Sequence, residues 1–355
     1  MRALGGRRGE DAKMAGRGRE MDAFQPPGRL VTLTDVARAA GVGESTVSRV
    51  LRNHGSYSKR AGERVAEAVA RLGYVPNRLA GSLAGPGASA QLAGVIVPSL
   101  ANVVFPDLLR GLTGALEAEG IQCVIGVSDY DPDREEALAA ALLSWRPAAL
   151  LLTGLEHNPG TVALAKAGGV RVVEMIDTDG PGIDAVVGFS NRAVGAASAR
   201  HLALRGYRRI AYLGHDLAVD LRAGKRLAGF EAALGEAGLA LQAREIRPGP
   251  SSPASGRAGL ETLLARRPDL DAVYFSNDDM ALGGYFACLS AGLAVPGRIA
   301  LFGFNGLDFA AAMPQPLSTV RTPRLEIGRQ AAICLMGESP KRIDLGFELI
   351  EGATA

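Results

Sequence analysis

Seven short apolar runs, LAGVIVPS, IQCVIGVS, AALLLTG, VRVVEMI, RIAYLGH, DAVYFS and RIALFGF, recur between residues 92 and 304. Helix-length stretches separate them, among them 105–119, 132–145, 192–205 and 277–291. Runs that are apolar throughout suit strands buried on both faces, and the intervening helices supply the cover, so this alternation predicts parallel sheets of the doubly wound α/β kind. Seven units exceed one small open sheet, which predicts two lobes. Residues 92–355 are expected to form this body.

The chain has 355 residues, 47% of them hydrophobic, enough to bury a large core and to make two or three domains. Arg, Glu, Asp or Gly interrupts the alanine-rich stretches every few positions, so no run reaches the roughly 18 apolar residues of a membrane span. Residues 1–29 lack the apolar segment of a secretory signal and are expected to be a disordered extension, with Met14 and Met21 as alternative starts. Cys123, Cys288 and Cys334 have neither disulfide pairing nor metal-ligand spacing and read as core residues of a reduced, cytoplasmic protein.

Net charge is only +2, but it is unevenly spread. Residues 30–84 carry eight Lys or Arg against four acids, and residues 1–29 carry seven against four, so the remainder is acidic. A small basic head on an acidic body is the asymmetry expected when only the head meets a polyanion.

Within the head, residues 30–76, Thr32 can cap a helix that buries Val36, Ala37 and Ala40, and Gly41 allows a sharp turn. A second helix at about 43–51 buries Val47, Val50 and Leu51 and exposes Glu44, Ser45, Ser48 and Arg49. A third, capped by Ser58, turns Val65, Val69 and Leu72 inward. The pattern is a helix-turn-helix, whose second helix enters the major groove; there Arg49 can pair with guanine and Glu44 can accept from cytosine. Residues 77–91 follow as hinge and linker. YVPNRLAGSLAG holds one helical turn too short to be stable alone, and Leu83 can wedge between base steps in the minor groove.

TLTDVARAAGVGESTVSRVL and LGYVPNRLAGSLA resemble, without a gap, the head and hinge of the lactose-repressor (LacI/GalR) family, and the resemblance extends over residues 30–355. It implies Glu44, Ser45 and Arg49 as base readers, Ala80 and Leu83 as minor-groove contacts, and Thr32, Thr46, Ser48 and Asn77 as phosphate contacts or caps. Two positions depart from the pattern: Gly43 stands where a Ser cap is frequent, weakening that helix start by a few tenths of a kcal/mol, and the Glu44–Ser45 pair is unusual, so no operator sequence follows.

Ligands of open parallel sheets sit beyond the carboxyl ends of the strands. That places Ser99, Asn102, Phe105, Ser128, Tyr130, Glu174, Asp177, Asp220, Arg222, Arg226, Ser251, Ser252, Asn277, Asp278 and Asn305 under inspection. Hydroxyl, amide and arginine groups together suit a polyhydroxylated ligand that carries a carboxylate. Asp177, Ser128 and Ser252 read equally well as turn or cap residues. The resemblance implies a periplasmic-binding-protein-like effector domain, with crossings near 188, 320 and 338. Its first lobe would comprise 92–188 and 321–337, its second 189–320 and 338–355. It also implies Phe105 as a pocket wall, Arg226 as the sugar-gripping arginine and Asn277 as a polar contact. Ser99, Asn102, Tyr130, Glu174, Arg222 and Asn305 complete the expected effector site. Asn305 replaces the family's usual Asp, which suits an anionic effector.

VPSLANVVFPDLLRG, VVEMID, SNDDMALG and IDLGFELIEG are similar to the gluconate-operon repressors of the family. The resemblance thus implies a cytoplasmic homodimer, with a tetramer as alternative, that represses sugar-acid genes until a small effector such as gluconate releases it from double-stranded operator DNA. A neutral sugar, a phosphorylated sugar acid or a nucleobase remains as alternative effector. A DNA-tethered enzyme is the alternative of another class. Against it, His54, His157, His201 and His215 show no metal spacing, no glycine loop cradles phosphate, and Asp278 with Asp279 reads as a helix start. No catalytic residue, metal ligand or cofactor is expected.

Overall fold

The computed structural model describes residues 31–51, 55–75, 92–102, 104–336 and 340–355. The chain divides into two units, 1–81 and 82–355.

In the first unit, α1 spans Leu33–Ala40, α2 Glu44–Leu51 and α3 Lys59–Leu72. Thr32 and Asp35 form a reciprocal capping box: the Thr32 side chain accepts from the Asp35 amide, and Asp35 accepts from the Thr32 amide at 3.0 Å. Such a box satisfies two amides that the first turn leaves without partners. Gly41 ends α1 at φ 61, a left-handed conformation that a β-carbon disfavours. Ser58 caps α3 by accepting from the Ala61 amide at 3.2 Å. Val36, Ala37, Ala40, Val47, Val65 and Ala68 are buried where the three helices meet, with Val50, Leu51, Val69 and Leu72 half-buried around them.

In the second unit, a six-stranded parallel sheet is built from β1 (Leu92–Val97), β2 (Gln122–Val127), β3 (Ala149–Thr153), β4 (Arg171–Asp177), β5 (Ala185–Phe189) and β11 (Arg342–Asp344). Its strand order is β2-β1-β3-β4-β5-β11. A second parallel sheet, ordered β7-β6-β8-β9, contains β6 (Ile210–His215), β7 (Ala243–Arg247), β8 (Ala272–Phe275) and β9 (Ala300–Phe302). Strands β1, β3, β6 and β8 lack exposed side chains because helices cover both faces. The covering helices of the first lobe are α4 (Val104–Ala118), α5 (Pro132–Ser144) and α6 (Pro159–Ala167), joined by α12 (Arg324–Ile333). Those of the second are α7 (Asn191–Leu204), α8 (Leu221–Glu236), α9 (Pro253–Arg266) and α10 (Asp278–Ser290), with the short α11 (Asp308–Ala312) beyond them.

The chain crosses between lobes after β5 and again along β10 (Thr319–Arg321), which pairs antiparallel with β12 (Glu348–Ile350). The third crossing corrects the sequence reading. Residues 342–344 do not join the second lobe; β11 pairs in parallel with β5 at the edge of the first sheet, Ile343 opposite Val187. Only the last residues return, where Leu301 donates to the Thr354 carbonyl at 2.8 Å. As an edge strand β11 presents Arg342 and Asp344 to solvent, so it carries no apolar run to announce it.

Candidate functional site

On the head, Glu44, Ser45 and Arg49 are exposed along one side of α2, whereas Thr46 and Ser48 are half-buried and Thr32 is exposed at the start of α1. The Glu44 carboxylate accepts from the Thr34 hydroxyl at 2.8 Å, and Arg49 donates to the carbonyls of Ser45 and Ser56 at 3.2 and 3.3 Å. Exposed bonds of this kind are each worth about 1 kcal/mol net, so both side chains can exchange them for base edges. The Gly43 carbonyl takes the amides of Thr46 and Val47, so α2 starts without a side-chain cap at that position. Asn77, Ala80 and Leu83 lie outside the described residues.

In both sheets the strand order reverses at the first strand of the lobe, and ligands gather at such switch points. The loops after β1, β2, β6, β7, β8 and β9 line a cavity of about 510 Å³, walled by Ser99, Asn102, Asp129, Tyr130, His215, Asp216, Ser251, Asn277, Asp279 and Asn305. Asn102, Asn277 and Asn305 also line a smaller chamber of about 30 Å³, whose other walls include Phe105, Phe189, Asp220, Arg222, Arg226, Phe304, Thr322 and Arg324.

Arg226 reaches that chamber because α7 and α8 pack backbone to backbone. A β-carbon on Gly195 would lie 1.8 Å from the Arg226 carbonyl oxygen, and one on Gly229 would lie 2.1 Å from that of Arg192. So placed, Arg226 is 4% exposed, donates to Asn191 Oδ1 at 2.9 Å, and stacks its guanidinium 3.9 Å above the Phe304 ring. Its Nε is buried without a hydrogen-bond partner. A buried donor left unsatisfied is costly, and a ligand oxygen would remove that cost.

Asp220 caps α8 by accepting from the Ala223 amide at 3.2 Å. His215 stands 3.4 Å from it, Arg222 3.7 Å and Arg226 3.9 Å. Burial alone would raise the Asp220 pKa, but Arg222, the His215 hydrogen bond and Arg226 hold it far below the ordinary carboxylate range. It is therefore a fixed anion. Asn305 sits at φ 120, outside the conformations comfortable for an L residue, and is held there by bonds to Val320, Asn277 and Arg324. Ile176, Asp129 and Tyr130 also have positive φ and line the two chambers. Such strain persists only where the surroundings enforce it.

Eight of the nine expected effector residues line these chambers: Ser99, Asn102, Phe105, Tyr130, Arg222, Arg226, Asn277 and Asn305. Glu174 does not. It is buried within the first lobe, where its carboxylate accepts from the Ile183 amide and stands 3.5 Å from His157 Nε2. Its side chain leaves the sheet on the same side as Val172, toward His157 and opposite Val173 and Met175, which the unbroken run VRVVEMI could not reveal. Asp177 is bonded to Lys225, and Ser252 caps α9. Asp278 is a brace, accepting from Thr319 at 2.6 Å and the Leu307 amide at 2.8 Å, with burial pushing its pKa up to about 6. Phe189, Phe304, Thr322 and Arg324 are cleft residues the sequence reading did not name. Phe304 ends the FGF run before Asn305, Thr322 and Arg324 belong to the TPR after β10, and Phe189 is the last residue of β5. Among the described residues no group of three His, Cys, Asp or Glu could hold a metal ion, and no helix is long and apolar enough to cross a membrane.

Residues 32–77 match the family described as bacterial regulatory proteins, lacI family. Residues 90–346 match periplasmic binding proteins and the sugar-binding domain of the LacI family. The chain is 40% identical to the HTH-type transcriptional regulator GntR of Pseudomonas aeruginosa over 327 residues, 90% of this chain and 94% of that protein. A LacI family transcriptional regulator from Silicibacter pomeroyi, whose crystal structure is known, superposes with TM-score 0.86 at 42% identity, covering 91% of this chain and 99% of the other. The lac repressor dimer bound to operator and the anti-inducer ONPF superposes with TM-score 0.78 at 26% identity, covering 92% and 99%.

Proposed function

The chain belongs to the LacI family of bacterial transcription regulators, and on that premise we propose that it represses genes for sugar-acid catabolism and leaves its operator when a gluconate-type acid fills the cleft. It is a DNA-binding regulator, and its relatives are regulators rather than enzymes. The observation that carries the choice of effector is Arg226, buried on Phe304 with an unpartnered Nε at a wall shared with Arg222 and Arg324. Three guanidinium groups around a small chamber favour a carboxylate, and the amides and hydroxyls of the larger cavity suit a chain of hydroxyl groups. The likeness to a regulator named GntR supports the same reading.

In this account two heads of a homodimer engage a pseudo-palindromic site, Glu44, Ser45 and Arg49 reading the major groove and Leu83 the minor. Thr32, Thr46, Ser48 and Asn77 serve phosphate contacts. A ligand that prefers one angle between the lobes shifts the population of the DNA-competent state by its differential affinity. The protein works in the cytoplasm, where operator and metabolite are both present. Calorimetric titration of the purified protein with D-gluconate, D-glucose and hypoxanthine tests the effector class. Saturable heat with gluconate alone is the expected result, and binding of glucose or the purine in its place contradicts it.

A further inference from the structure

The two chambers differ in charge. Arg222, Arg226 and Arg324 line the small one with a single lining carboxylate, Asp220; Arg324 is paired with Asp107 at 3.1 Å, so Arg222 and Arg226 share Asp220 alone and leave the chamber net positive. The large one is lined by Asp129, Asp216 and Asp279, with His215 as its basic side chain. Asp129 is neutralised by Arg134. The partners of the other two are neutral: Asp216 accepts from the Ala218 amide at 3.0 Å, and Asp279 from the Ser251 hydroxyl at 2.5 Å and the Met280 amide at 2.7 Å. Among the described residues neither has a cationic partner within ion-pair distance.

We infer that the cleft takes its ligand in one direction, carboxylate in the small chamber and hydroxyl chain in the large one, and that Asp216 and Asp279 reject acids carrying a second negative group at the far end. The inference rests on the sugar-acid reading above and deepens it. The small chamber, about 30 Å³, holds roughly two water-sized groups, the size of a carboxylate's two oxygens. The larger cavity, about 510 Å³, is a normal volume for a metabolite. Carboxylates accept hydrogen bonds from sugar hydroxyls, so the same two residues that welcome a polyol terminus repel a phosphate or a second carboxylate there.

The test is calorimetry on the full chain with three probes: D-gluconate, 6-phosphogluconate and D-glucarate. Gluconate is expected to bind about 30-fold or more tightly than either doubly acidic probe, a gap of the size two like charges impose in a partly hydrated cleft. In the Asp216→Asn/Asp279→Asn variant, which keeps side-chain shape, the gap is expected to narrow to about fivefold or less. Binding of 6-phosphogluconate or glucarate within about threefold of gluconate by the unaltered protein overturns the orientation while leaving the sugar-acid reading intact. An unchanged gap in a folded double variant overturns it as well. Absence of gluconate binding overturns both proposals together.

Discussion

Lys225 on α8 of the second lobe donates to the carboxylate of Asp177 at the end of β4 in the first, and also contacts Glu156. The Asp177 side chain is fully buried, and that of Lys225 is 13% exposed. Burial works against the charged lysine, but the bonds to Asp177 and Glu156 outweigh it and raise its pKa. The lobes are thus tied by an ion pair one residue from the arginine that faces the cleft.

Replacing Lys225 by Met leaves Asp177 without its cation. The unfolding free energy from urea denaturation is expected to fall by about 3 kcal/mol, as when one partner of a buried pair is removed. Lys225→Met/Asp177→Asn should recover most of the loss, and a double variant as unstable as the single one would mean the charge is not what matters.

His157 is held between Glu135 and Glu174, at 2.6 and 3.5 Å. Burial pushes its pKa down, but the hydrogen bond to Glu135 and the nearby charge of Glu174 prevail and bring it to about 9 from 6.5. The folded state therefore binds this proton more tightly than the unfolded chain. The resulting stability, about 3 kcal/mol on the scale of 1.36 kcal/mol per unit, is complete below pH 6.5 and lost as pH rises through about 9. Urea midpoints measured from pH 6 to 10 should fall more steeply for the parent than for His157→Gln.

Arg226→Lys keeps the charge but loses the planar stack on Phe304 and the directed donors. Gluconate affinity is expected to drop about 100-fold, near 3 kcal/mol. Operator binding in the absence of effector should persist, so the variant represses without release in a reporter assay. Release at unchanged gluconate concentration would remove Arg226 from the site.

Gly195→Ala places a methyl group 1.8 Å from the Arg226 carbonyl, so α7 and α8 must separate. Overpacking of this kind costs about 1–3 kcal/mol. Thermal melting should show that loss, together with weaker gluconate binding as Arg226 moves off Asn191.

Legibility followed how local the cause of each feature was. Thr32, Gly41 and Ser58 shape the head through bonds spanning a few residues, and these were readable. Arg226, Asn277 and Asn305 follow strand ends, where the switch-point rule points directly. Arg324 and Thr322 come into the cleft through the second crossing, far in sequence from Asp107 and Asn102, and nothing local marks them. Glu174 misled because a strand buried on both faces gives no alternation to tell which way a side chain points. β11 was misassigned because a three-residue charged edge has no apolar signature.

The central claim, that a metabolite in the cleft governs DNA binding by the head, is tested most directly by fluorescence anisotropy of a labelled fragment from the gene's own upstream region. The protein is expected to bind it tightly, to lose binding with Leu83→Ala or Arg49→Ala, and to release it as D-gluconate is added, with Arg226→Lys resisting release. Anisotropy that never changes with gluconate, or a fragment held equally well by both head variants, would contradict the account.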